Sequence, residues 1–257
     1  MKEQLYTIPL MDAFRAKDEC PFCYIERNVE QNALDFVLGP DASYMQDHVR
    51  AETDKIGFCR AHYQKMFAYG ESLANALIID TRLQFLRKEM LKELKSYSAT
   101  NKVGIKDKLF RNTANVRDNN NVSRWIHKKE ESCYICNHIK RNYDRYVDTF
   151  FYLYKKGDPE FLELVEKGKG MCLHHFADLL DAAPLYLDEK EQKRLRDTLF
   201  SQMEENINRI CEEIDWFERK FDYRYQNEPW KNSKDALQRA MQKIAGGYPA
   251  DSPYRQK

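Results

Sequence analysis

Apolar residues along this chain recur in steps of three and four, the spacing that lines up one face of an α-helix. The longest run is Leu195, Leu199, Met203, Ile207, Ile210, Ile214, Phe217 and Phe221. It predicts a helix from an N-cap at Asp188 to about Tyr225. A second run, Ile79, Leu83, Leu86, Met90 and Leu94, predicts a helix over 71–95 with that stripe buried. Shorter helices are expected over 8–18, 23–38, 59–69, 136–155, 160–167, 172–180 and 231–244. The helix over 136–155 carries Tyr143, Tyr146, Phe150, Phe151 and Tyr154. Gly39-Pro40 and Gly157-Asp158-Pro159 stop helices, while 40–57 shows no period and reads as irregular. The fold class this implies is all-α.

The pattern also repeats. Leu86, Met90 and Leu94 fall on Leu199, Met203 and Ile207 at an offset of 113 positions. At the same offset Cys20, Cys23, Cys59 and His62 fall on Cys133, Cys136, Cys172 and His175. Overlaying residues 19–63 on 132–176 gives six identities in 45 pairs, and four of the six are these cysteines and histidines. A packing role would tolerate Ala or Val in place of Cys, whereas metal coordination would not. The expectation is a tandem duplication of helical repeats, each clipped by its own Cys3His metal site. The corresponding domains are 1–97 for the first repeat, 98–121 for a linker, 122–228 for the second repeat, and 229–257 for a C-terminal helix and tail.

A Cys-x2-Cys turn presents two thiolates on one side of a tight loop, and a Cys-x2-His at a helix start adds a sulfur and an imidazole nitrogen. Three sulfurs and one nitrogen make a closed tetrahedral set for Zn²⁺. Two zinc ions per chain are therefore expected, with an iron–sulfur cluster as the alternative, since cluster iron also takes Cys and sometimes His. The offset selects His175 over His174, which aligns with Ala61. Three thiolates leave such a site at net −1. Arg27, Lys55 and Arg60 are candidate offsets for the first set, and Lys140, Arg141 and Lys169 for the second. Cys211 reads as a buried structural thiol, and His48, His127 and His138 as ordinary surface or core residues.

Composition narrows the function classes. A formal charge of +1 gives no global field toward nucleic acid or an acidic membrane. Nine glycines and eight prolines argue against a many-stranded sheet protein. The first residues lack the apolar core of a signal peptide, and no apolar run approaches a membrane span. The expectation is a cytoplasmic protein in which thiols stay reduced. The region 101–129 is locally basic, with Lys102, Lys106, Lys108, Arg111, Arg117, Arg124, Lys128 and Lys129 around Phe110 and Trp125. It reads as a solvated connector, with RNA or DNA binding as an alternative. No phosphate-binding glycine loop, nucleophile elbow or His-Glu-x-x-His helix is present, so no catalytic residue is proposed.

The residues Ile8-Pro9, Asp12-Ala13-Phe14, Cys20-Pro21-Phe22-Cys23, Arg50, Thr53 and Gly57-Phe58-Cys59-Arg60-Ala61-His62 resemble a bacterial domain-of-unknown-function family associated with anaerobes. The resemblance implies a cytosolic helical protein without an assigned activity, and an anaerobic setting adds weight to the cluster alternative. The expected role is a non-enzymatic zinc protein acting as scaffold or adaptor for a protein partner. A redox or electron-transfer protein is the alternative.

Overall fold

The computed structural model describes residues 2–41, 43–98 and 119–247. Among them the chain forms helices α1 (Lys2–Arg15), α2 (Pro21–Leu38), α3 (Asp47–Ile56), α4 (Arg60–Tyr69), α5 (Ser72–Lys95) and α6 (Asn121–Glu130). Further on come α7 (Tyr134–Lys156), α8 (Pro159–Glu166), α9 (Leu173–Tyr186), α10 (Glu189–Arg219) and α11 (Ala236–Ala245). A 3-10 turn at Ser43–Met45 completes the elements, and there is no strand among the described residues. The all-helical reading holds. Most of the expected linker and the C-terminal tail lie outside the described residues.

Two compact units divide the chain, one built from Met1–Val29 with Lys140–Ser252, the other from Glu30–Ile139. The division falls inside α2 and inside α7.

The first unit is organised by aromatic side chains on α1, α2, α7 and α8. Phe14, Phe22, Phe150 and Phe161 meet one another at ring-centroid distances of 5.3–6.3 Å, mostly edge to face. Phe22, Phe150 and Phe161 are fully buried. Each such ring contributes on the order of 2–3 kcal/mol of apolar burial. Asp158 caps α8 by accepting from the Phe161 N–H, with Pro159 at the first helical position. Asp188 and Glu191 form a reciprocal capping box at the start of α10. Leu195, Leu199, Met203 and Ile210 are buried as the stripe requires, but Ile207 and Phe221 are exposed. The helix stops at Arg219 rather than near Tyr225. Buried Lys220 turns inward there, and its ammonium donates to the carbonyls of Tyr225 at 2.6 Å, Gln226 at 2.7 Å and Glu228.

The second unit packs Ala33, Leu34, Val37 and Leu38 of α2 against Phe58, Met66, Ile78, Tyr134 and Ile135. Residues 40–57, expected to be irregular, hold the 3-10 turn and α3 instead. The buried face of α3 is only Val49 and Thr53, too sparse to register as a period. The expected burial of the α5 stripe is overturned: Ile79, Leu83, Met90 and Leu94 are exposed, while Ala74, Ile78 and Arg82 face inward. The inward position of Arg82 has a physical reason. Its guanidinium donates to the carbonyls of Asp54 and Lys55, satisfying the orphan C-terminal groups of α3. An aliphatic residue there would remove both of these bonds.

Candidate metal centres

The eight candidate ligands come together, but not in the sets that sequence order implied. Cys20 and Cys23 meet Cys172 and His175, whereas Cys59 and His62 meet Cys133 and Cys136. In each set the four potential ligand atoms lie within 4.8 Å of one another and could hold a metal ion. The expectation that each repeat carries its own site is therefore corrected: every Cys-x2-Cys turn is completed by the Cys-x2-His of the other stretch. All seven cysteines are free thiols, with no disulfide among them.

Local structure explains the crossed pairing. Each Cys-x2-Cys turn opens a helix, α2 or α7, that carries the chain away from its own turn over roughly 27–35 Å at 1.5 Å per residue. The following Cys-x2-His then starts α4 or α9, with Cys59 or Cys172 at the N-cap. In the second unit a backbone bond fixes the match: the Tyr134 N–H donates to the Gly57 carbonyl at 2.8 Å. The Ser132 hydroxyl adds a bond to the Ile56 carbonyl at 2.6 Å. Gly57 has φ +77°, and a Cβ there would lie 2.6 Å from the Arg82 guanidinium.

The first unit cannot use the same bond, because the position that corresponds to Tyr134 is Pro21, which has no N–H. Lys243 of α11 takes over. Its buried ammonium bridges the carbonyls of Glu19 at 2.7 Å and Lys169 at 2.6 Å. Glu19, also buried, receives Arg209 at 2.6 Å and has Lys243 at 3.5 Å and Lys169 at 3.4 Å. Burial pushes the Glu19 carboxyl up, but these cations outweigh it and hold it below its usual range. Of the cations expected near the sulfurs, Arg27 instead pairs with Asp18 and Lys169 joins the Glu19 network. Lys243 was missed because it lies far along the chain in an element with no cysteine.

Both histidines point Nδ1 at the sulfurs. For His175 the distances are 3.3 Å to Cys20, 3.5 Å to Cys23 and 3.2 Å to Cys172. For His62 they are 3.2 Å to Cys59, 3.2 Å to Cys133 and 3.4 Å to Cys136. The far nitrogens face carboxylates, both on α2: Nε2 of His62 lies 2.9 Å from Glu30, and Nε2 of His175 lies 3.4 Å from Glu26. Lys65 also reaches Glu30, at 2.6 Å. A carboxylate behind the imidazole fixes its tautomer and raises its basicity as a ligand. The ring of His175 is held between Phe22 and Tyr143, at 5.7 and 5.2 Å.

Electrostatics follow from these contacts. Burial lowers the basicity of His62, but hydrogen bonds with Cys133 and Glu30 outweigh it and lift the group to about 10. His175 is lifted in the same way to about 12, by Cys172, Cys20 and Glu26. Burial raises Cys133, yet His62 and two backbone N–H groups bring it down to about 6. Hydrogen bonds from Cys20 and Cys23 lower Cys172 despite its burial. Without an ion, each set thus holds a thiolate beside an imidazolium.

The remaining candidates stay outside. His174 is exposed, with its ring toward Asp178. His48 is exposed, and His127 and His138 are half-buried, none belonging to either set. Cys211, expected to be buried, is exposed. Arg124, Lys128 and Lys129 of the basic stretch lie on α6, while Lys102, Lys106, Lys108, Arg111 and Arg117 fall outside the described residues. No helix of the described residues is long and apolar enough to cross a membrane.

A model of a family of unknown function, DUF6062, matches residues 1–251. No curated protein and no solved structure matches the chain.

Proposed function

The chain belongs to that family of unknown function, and we propose that it is a non-enzymatic, cytoplasmic helical protein stapled by two zinc ions, serving as a scaffold for a protein partner. The observation that carries the reading is the convergence, in each unit, of three sulfurs on one imidazole nitrogen. A tetrahedral zinc with Zn–S of about 2.3 Å and Zn–N of about 2.0–2.1 Å separates its sulfurs by about 3.8 Å and sulfur from nitrogen by about 3.5 Å. The sulfur pairs Cys23–Cys172 and Cys59–Cys136 stand at 3.7 and 3.9 Å, and the sulfur–nitrogen distances span 3.2–3.5 Å. An iron–sulfur cluster shares its protein ligands among two or more irons, which spreads the four ligands further apart than one ion does. Zinc's indifference to redox state and its preference for thiolate and imidazole also suit the donor set.

Four protein ligands leave no open position for water, which favours a structural over a hydrolytic role. Reduced thiols suit the cytoplasm. The exposed α5 residues Ile79, Leu83, Met90 and Leu94 support a partner-binding role, since a contiguous apolar strip on a helix is costly to leave in water. Plasma mass spectrometry and a visible spectrum on protein purified without oxygen test the reading. Two zinc per chain and a colourless solution are expected. Iron with inorganic sulfide and a broad visible band would overturn it in favour of redox chemistry.

A further inference from the structure

The two Cys3His sets are protected very differently. In the first, Cys20, Cys23, Cys172 and His175 are all buried. The chain after α11 covers them: a Cβ placed on Gly246 would lie 3.5 Å from the Cys172 sulfur and 3.7 Å from that of Cys23. In the second, His62 and Cys133 are buried, but Cys59 is half-buried and Cys136 is exposed. Cys59 also lines an open groove of about 830 Å³ with Phe58, Arg60, Tyr63 and Phe67.

The sulfurs differ in hydrogen bonding as well. Cys172 accepts from the His175 N–H at 3.5 Å, whereas Cys59, at the same place on α4, accepts no such cap bond. Cys133 accepts from the Cys136 N–H at 3.5 Å. A donated N–H draws electron density from a thiolate, and burial keeps reagents away. Cys136 and Cys59 are thus the accessible members of the set, and their sulfurs are 3.9 Å apart.

We propose that the Cys59–His62–Cys133–Cys136 site is a thiol-modification site, at which a peroxide joins Cys59 to Cys136 and releases the ion, while the buried site stays intact. The inference rests on the metal reading above. The Cys136 thiolate attacks one peroxide oxygen, the O–O bond breaks, and the departing hydroxide takes a proton from the buffered solvent. The sulfenic acid formed is then attacked by the Cys59 thiolate; the S–S bond forms, the S–O bond breaks, and the leaving hydroxide is protonated. Two thiolates are oxidised by two electrons and hydrogen peroxide becomes two waters. Cys133 and His62 alone cannot retain zinc.

The experiment uses full-length protein carrying Cys211→Ser, which removes the exposed uncoordinated thiol. Hydrogen peroxide is added under argon while zinc release is followed with a chromogenic indicator and disulfides are mapped by peptide mass spectrometry. The expected result is one zinc released per chain, about tenfold faster than the other, with a Cys59–Cys136 disulfide. Cys136→His, which keeps a nitrogen ligand and removes the nucleophilic sulfur, should hold both ions under the same treatment. Equal release from both sites, or first disulfides among Cys20, Cys23 and Cys172, would overturn the proposal. If the protein contains no zinc, the structural reading fails, and the proposal, which requires an ion to release, fails with it. Zinc that is present but leaves the Cys20 set first overturns the proposal alone and leaves the structural reading standing.

Discussion

The backbone N–H of Tyr134 meets the carbonyl of Gly57 at 2.8 Å and, beside the Ser132–Ile56 bond, joins two stretches of chain that both end in candidate metal ligands. It sets Cys59 beside Cys133 and Cys136 rather than beside Cys20 and Cys23. The first unit reaches the same arrangement through the ammonium of Lys243, because Pro21 offers no donor.

Crossed pairing makes an unusual statement about double variants. Cys23→Ser with Cys172→Ser damages one site and should leave about one metal ion per chain. Cys23→Ser with Cys59→Ser damages both and should leave none. Under within-repeat pairing the two results would be exchanged, so metal content on this pair of proteins decides the matter.

Lys243 is buried and satisfies two carbonyls and Glu19, so Lys243→Ala should be severe. Removing one partner of a buried charge network costs about 3–5 kcal/mol. The loss should appear as a lower thermal midpoint, accompanied by weaker metal retention at the Cys20 site alone. Unchanged melting would show that Arg209 and Lys169 suffice for Glu19.

Glu30 stands hydrogen-bonded behind His62, whereas Glu26 stands 3.4 Å behind His175. Glu30→Gln should therefore weaken metal affinity at its site by about 10–100-fold, as loss of a supporting carboxylate does. Glu26→Gln should have a smaller effect. Competition with a coloured chelator gives both values.

The raised basicity of the histidines sets the sign of a pH effect. With His62 at about 10 and His175 at about 12, both imidazoles of the metal-free chain are protonated at neutral pH. An ion binding at Nδ1 must displace that proton, so loading acidifies a weakly buffered solution and affinity rises with pH. Zinc uptake without proton release would contradict this arrangement.

Gly57→Ala places a Cβ against Arg82 at a φ that L-residues rarely adopt. The expected cost is about 1–3 kcal/mol, visible as a drop in the denaturant midpoint. Gly157→Ala, at φ +70° with open space around it, should cost less and serves as the reference.

The helices were legible in sequence wherever an apolar stripe was dense, as at Leu195, Leu199 and Met203. α3 was hidden because its buried face is only Val49 and Thr53, and α5 was found as a helix but with the wrong face buried, because Arg82 turns inward. The eight residues that gather into the two Cys3His groups were singled out by their spacing alone. Their partnership was not, because an offset of 113 positions reports similarity between two stretches and carries no information on which stretch touches which. The roles of Glu30 and Lys243 were invisible for a related reason. Each acts through contacts with residues distant in sequence, and a lone Glu or Lys on a helix looks like any solvated charge.

The two sites are nested along the chain like brackets within brackets, since the pair Cys59–His62 and Cys133–Cys136 closes inside the span from Cys20 to His175. During synthesis the inner bracket can close as soon as Cys136 has emerged. Cys23 must wait for Cys172, a further 149 residues from it, or on the order of 10–30 s at common elongation rates. For that interval Cys20 and Cys23 form an open dithiol on a nascent chain, so the site that ends up best shielded is the one that spends longest exposed while the protein is being made.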